Sequence, residues 1–112
     1  MKLSSLAAAE AFTTADGSTI RDLWKTDAQS LAEASLEAGQ ATQRHYHRAS
    51  EEIYFLLEGH GRMELDGEER EVSPGDAVVI PPGAWHQIAA SAPLRFLCCC
   101  APPYAHDDTF FD

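Results

Sequence analysis

Residues 39–59 read GQATQRHYHRASEEIYFLLEG, and the alternation within this stretch decides the fold class. Side chains two apart on a strand share a face, so His45 and His47 point one way and Tyr46 the other. The polar turn Arg48-Ala49-Ser50 follows. Glu52 then opens a second run, rich in Ile53, Tyr54 and Phe55, residue types that suit a half-buried strand. An antiparallel hairpin across that turn returns Glu52 to the side of the histidine pair.

Working outward, short runs between turn signals continue in both directions. Strands are expected around Thr19–Trp24, Ser30–Glu37, Ala41–His47, Glu52–Leu57, Arg62–Leu65, Glu68–Val72, Ala77–Ile80, His86–Ala89 and Leu94–Cys100. Asp66-Gly67 between two such runs is a two-residue hairpin signal. Gly39, Gly59, Pro74-Gly75 and Pro81-Pro82-Gly83 punctuate the rest. Many short strands at close spacing predict an all-β chain, an antiparallel barrel or sandwich, rather than alternating β and α units. Before them, Ser4 to Phe12 is expected to form a short helix within an N-terminal segment 1–15, with Ser4 or Ser5 as cap and alanines favouring helix. Residues 101–112 form an apolar tail with no strand period, expected to cross the barrel or a second subunit.

At 112 residues the chain holds one domain, 1–112, with one hydrophobic core. A hydrophobic share of 45% against 23% charged is that of a soluble globular protein rather than a disordered one. No stretch is long and apolar enough to span a bilayer as a helix, and Glu10 interrupts the alanines where a signal-peptide core would have to run. Eight basic and eighteen acidic residues give a net charge of −10, which argues against nucleic acid and membrane partners. It leaves an anionic small molecule open, since a cavity sets its own local field. Three consecutive cysteines, Cys98, Cys99 and Cys100, offer no disulfide framework, so a cytoplasmic location is expected.

The residues that carry chemistry are His45, His47, Glu52 and His86. The last comes from a separate strand, behind the tight entry Pro81-Pro82-Gly83. Imidazole with carboxylate, and no thiolate, suits a divalent transition metal such as Fe, Mn, Ni or Zn. Four protein ligands would leave two positions free on an octahedral ion for water, oxygen or a substrate oxygen.

The stretch Gly39-x5-His45-x-His47-x4-Glu52-x6-Gly59 resembles the first motif of the cupin superfamily, and Gly75-x5-Pro81-x-Gly83-x2-His86 is similar to its second. Fifteen residues separate Gly59 from Gly75, as in small single-domain members. The resemblance implies a jelly-roll barrel, a metal held by His45, His47, Glu52 and His86, and a homodimer paired through a sheet face. It also selects Glu52 over Glu51, because only Glu52 keeps six residues before Gly59. The second motif usually closes with Asn where this chain has Ala90, which puts a loop contact in question rather than a ligand.

Tyr54 shares parity with Glu52 and is the candidate catalytic residue, as proton donor or substrate partner; its simpler role is aromatic filling. Gln43 shares parity with the histidine pair and could support it. Met63, Trp85, Ile88 and Phe96 read as wall or core, and His60 and His106 as solvated. Cys98 and Cys100 share one strand face and Cys99 takes the other, which fits small buried hydrophobes. Cupins include dioxygenases, isomerases and lyases. The expected function is therefore a metal-dependent enzyme of one of these types, acting on a small polar organic substrate. The alternative is a non-catalytic cupin that binds a sugar or acid, and fold and ligand set do not choose between them.

Overall fold

A computed structural model describes residues 1–112. Two antiparallel sheets face each other. The first contains β1 (Ala11–Thr13), β2 (Thr19–Lys25), β3 (Ser30–Leu36), β5 (Glu51–Glu58), β8 (Ala77–Ile80) and β10 (Leu94–Ala101), in the order β1-β2-β3-β10-β5-β8. The second contains β4 (His45–His47), β6 (Gly61–Leu65), β7 (Glu68–Val72), β9 (His86–Ala90) and β11 (Thr109–Phe111), in the order β11-β4-β9-β6-β7. The expected all-β jelly-roll type of architecture is the one observed.

Local rules explain the turns. Asp66 (φ 47°) and Gly67 (φ 90°) both adopt positive φ, the two-residue hairpin conformation that keeps Leu65 opposite Glu68. Gly59 meets a harder constraint. With φ at +87°, a Cβ there would sit 2.0 Å from the Pro93 carbonyl oxygen, so only glycine fits.

Alternation fills the space between the sheets in rows. On the first sheet, Ile80, Glu52, Cys100 and Ser30 lie in one register row, followed by Val78, Tyr54, Cys98 and Ala32. Next come Leu56, Phe96, Ala34 and Ile20. The inner face thus passes from polar to apolar along the strands. Leu56, Phe96, Ile88, Met63 and Leu94 form the core at the apolar end. Burying side chains of this size is worth about 1.5–3 kcal/mol each, so the apolar end holds the fold and the polar end is left for other use.

Three expectations need correction. No helix forms near the N-terminus: Leu6–Ala8 make one turn, through Ala8 and Ala9 N–H donating to Ser5 and Leu6 carbonyls, and Ala11–Thr13 instead pair with Thr19–Arg21. A segment this short does not recover the cost of helix nucleation, whereas β1 gains a ready-made strand edge. The tail, expected to have no strand period, ends in a strand. After a 3-10 turn at His106–Asp108, β11 pairs with β4, and Phe110 stacks on the outward ring of Tyr46 at 5.0 Å. The strand expected from Ala41 begins at His45. Before it, buried Thr42 exchanges bonds with Ile88: its N–H donates to the Ile88 carbonyl (3.0 Å) and its hydroxyl accepts from the Ile88 N–H (3.1 Å).

Candidate metal centre

The polar end of the barrel gathers three imidazoles. Strands β4 and β9 pair with His45 directly opposite His86, and alternation sends His47 to the same side. The Gly83 N–H donates to the His47 carbonyl at 2.7 Å, so the Pro-Pro-Gly turn is clamped to β4 just before it delivers His86. Ligand atoms of His45, His47 and His86 all lie within 4.8 Å of one another, and all three residues are buried.

Each ring is held from behind at Nδ1. His45 Nδ1–H donates to the Gln43 carbonyl (2.7 Å) and His86 Nδ1–H to the Ala84 carbonyl (3.0 Å). The Thr109 hydroxyl donates to the Ala105 carbonyl (3.0 Å), so its oxygen accepts from His47 Nδ1–H at 3.2 Å. With all three Nδ1 atoms occupied, the three Nε2 atoms turn to the interior, where they become metal ligands once any proton on them is displaced.

Glu52 enters from β5 in the opposite sheet. Its Oε1 lies 3.4 Å from His47 Nε2 and 3.5 Å from His86 Nε2. The Cys100 thiol, its cross-strand neighbour, donates to Oε2 at 3.3 Å. Glu52 Oε1 and His86 Nε2 are buried with no hydrogen-bond partner. Orphaned buried groups cost on the order of 1–3 kcal/mol each, more when charged. Ligand atoms bonded to one ion at about 2.0–2.2 Å lie roughly 3–3.5 Å apart. The orphans and the Glu52 spacings to His47 and His86 therefore fit a divalent transition ion.

Electrostatics agree with that fit. Burial alone would raise the Glu52 carboxyl, but the facing His47 and His86 rings outweigh it and hold it down at about 2, so it is a carboxylate. Burial and the neighbouring His86 lower His45 and keep it neutral. For His47 burial also favours the neutral form, yet the Glu52 carboxylate prevails and raises it. Beside the cluster opens a cavity of ≈ 250 Å³, lined by Asp16, His45, His47, Glu52, Tyr54 and Tyr104 among others. Burial, and then the Glu52 charge, push the Tyr54 phenol well above its ordinary value of 10, so it stays protonated.

A family model described as "Cupin domain" matches residues 32–100, a span that includes all four of these side chains. The chain belongs to the cupin family. This cupin is 49% identical over 105 residues to uncharacterized protein MJ1618 of Methanocaldococcus jannaschii, covering 88% of this chain and 84% of that one. Its fold is similar to that of KdgF from Halomonas sp., with TM-score 0.86 at 22% identity, over 96% of this chain and 97% of that one. A Streptomyces PAC13 variant solved with uridine is similar at TM-score 0.85 and 20% identity, over 99% and 89% of the two chains. At these identities the likeness is one of fold.

Other candidate residues in this cupin fall out as follows. The Gln43 side chain is exposed, and its backbone carbonyl rather than its amide holds His45. Met63, Ile88 and Phe96 are core, whereas Trp85 lies outside, against Tyr46. His60 and His106 are exposed. At Ala90, where the motif usually has Asn, backbone atoms pin the loop: Ala90 N–H donates to the Gln40 carbonyl (2.8 Å) and its carbonyl accepts from Gly39 N–H (2.9 Å). Sequence reasoning missed Thr109 and the place of Asp16 on the cavity wall. Asp16-Gly17 signals only a turn, and the shared parity of Cys98 and Cys100 leaves room for one thiol near the metal site, where Cys100 meets Glu52.

Proposed function

We propose that this cupin is a metal-dependent enzyme of the isomerase or lyase type, acting on a small polar organic substrate in the ≈ 250 Å³ cavity. His45, His47, His86 and Glu52 would hold one divalent transition ion. The observation that carries this reading is the unpartnered, buried pair Glu52 Oε1 and His86 Nε2, facing a cavity that also contains a protonated phenol. When bound, the ion supplies Lewis acidity toward a substrate carbonyl or hydroxyl oxygen. Tyr54 supplies the proton, since burial keeps it in the acid form at neutral pH.

Proton transfer is favoured over oxygen chemistry because the Cys98 and Cys100 thiols line the same cavity and would be oxidised by activated oxygen. Lyase chemistry has precedent on this fold in Pac13, described as a nucleoside dehydratase, which at 18% identity says nothing of this substrate. Three free thiols support a reducing, cytoplasmic setting, and the net charge of −10 supports small-molecule rather than nucleic-acid or lipid partners.

The test is proton exchange. Protein loaded in turn with Mn, Ni, Zn or Fe(II) is incubated in D2O with aldoses, ketoses and hydroxy acids, and deuterium uptake next to the carbonyl is followed by NMR. Metal-dependent exchange that drops at least about 100-fold in Tyr54→Phe is expected. Oxygen uptake with Fe(II) and catechols or diketones would place the protein among dioxygenases instead. Saturable binding without any turnover would make it a ligand-binding cupin.

A further inference from the structure

The turn joining β1 to β2 forms one wall of the cavity, and its polar atoms are arranged unusually. Thr14, Asp16 and Ser18 all line the space. Asp16 Oδ1 accepts from the Thr14 hydroxyl (2.6 Å), the Ser18 hydroxyl (2.6 Å) and the Ser18 N–H (2.9 Å). Its backbone carbonyl accepts from Gln43 N–H at 2.8 Å, which fixes the turn beside the strand carrying His45. None of the three side-chain bonds falls on Oδ2. With both hydroxyls also 3.1 Å apart and donating to Oδ1, the turn uses its hydroxyl protons internally and keeps Oδ2 as a free acceptor.

Charged groups of the lining are Asp16, Asp22, Glu52 and Lys25; no arginine is among them, and no helix N-terminus. A phosphate or dicarboxylate would find none of the forked donors such groups require. Three carboxylates against one ammonium are balanced once a divalent ion is held, which leaves no net field to draw a cation.

The lining also carries Ser30, Tyr54 and Tyr104 hydroxyls and an apolar share that includes Phe12 and Trp24, half-exposed at 47% and 39%. Such rings suit a ligand with hydroxyls on its rim and C–H bonds on its faces. At about 30 Å³ per water the cavity has the bulk of about eight waters, roughly that of one sugar ring.

We propose that the cavity takes an uncharged, polyhydroxylated molecule of monosaccharide size, and that Asp16 is the recognition residue, accepting a ligand hydroxyl at Oδ2. This rests on the reading of the cavity as the substrate site given above. Isothermal titration of zinc-loaded protein with neutral aldopentoses and aldohexoses, their aldonates and their phosphate esters tests it. At least one neutral sugar should bind saturably, about tenfold or more tighter than its aldonate or phosphate. Asp16→Asn keeps the Oδ1 acceptor that builds the turn but replaces Oδ2 by a donor. It should weaken that sugar by about tenfold or more with zinc affinity unchanged. Tighter binding of the anionic forms, no binding by any neutral sugar, or unchanged sugar affinity in Asp16→Asn would each overturn the proposal. Zinc titration of the same samples separates the two readings. One zinc per chain with no sugar preference removes this inference alone, whereas failure to bind zinc removes the metal centre beneath it.

Discussion

Thr109 Oγ1 sits 3.2 Å from His47 Nδ1, so the last strand of the chain reaches into the support of the metal centre. Because the Thr109 proton goes to the Ala105 carbonyl, the oxygen must accept from the ring, and this fixes which His47 nitrogen faces inward. Removing such a support typically costs 10- to 100-fold in metal affinity. Thr109→Val is expected to weaken zinc by about that range, and Thr109→Ser to restore it. Competition with a chromophoric chelator measures both.

One residue earlier, Asp108 clasps the turn between His47 and Glu52. Its carboxylate accepts from the N–H groups of Arg48 (3.2 Å), Ala49 (3.1 Å) and Ser50 (3.2 Å). Bonds to a charged acceptor are worth roughly 1.5–3 kcal/mol, and partial exposure lowers that. Asp108→Ala should therefore lose about 1–2 kcal/mol in denaturant unfolding of the metal-free protein, with Asp108→Asn losing less.

These two contacts mark where sequence reading ends. His45, His47, Glu52 and His86 were legible because period-two alternation and fixed spacing place them before any coordinates are known. Hairpins such as Leu65–Glu68 were legible from turn chemistry. Thr109 and Asp108 were not, since β11 is three residues long and its pairing with β4 spans some sixty residues of chain. The N-terminal alanines misled for the opposite reason: local helix propensity is weak beside the gain from extending a sheet edge.

The pH dependence of the metal-free protein follows from Glu52. Its folded value, about 2, lies below the ordinary 4.5, so its contribution is complete above 4.5 and is lost as pH falls toward 2. The shift corresponds to roughly 3 kcal/mol as an upper bound. In chelator-treated samples, the stability difference between wild type and Glu52→Gln should shrink in the wild type's disfavour across that window. A difference that stays constant from pH 5 to pH 2 would show that Glu52 is not held ionised.

Homodimer formation is expected through the outer face of the six-stranded sheet. Val79, Ile53, Cys99 and Leu31 form one register row across four strands, with Phe55 and Leu97 paired in the next. Val79, Phe55 and Ile53 are 53%, 41% and 39% exposed, an apolar strip that a monomer would leave in water. Light scattering should give a dimer for wild type and a folded monomer for Phe55→Glu. A monomeric wild type would remove this assignment and leave the metal centre untouched.

The central claim is that His45, His47, His86 and Glu52 converge on one ion. Calorimetric titration of chelator-stripped protein with Zn(II), beside His86→Ala folded to the same circular dichroism spectrum, tests it most directly. One ion per chain in wild type and an affinity at least about 100-fold weaker in the variant is the predicted result. Absence of saturable binding in wild type, or equal affinity in His86→Ala, would contradict it.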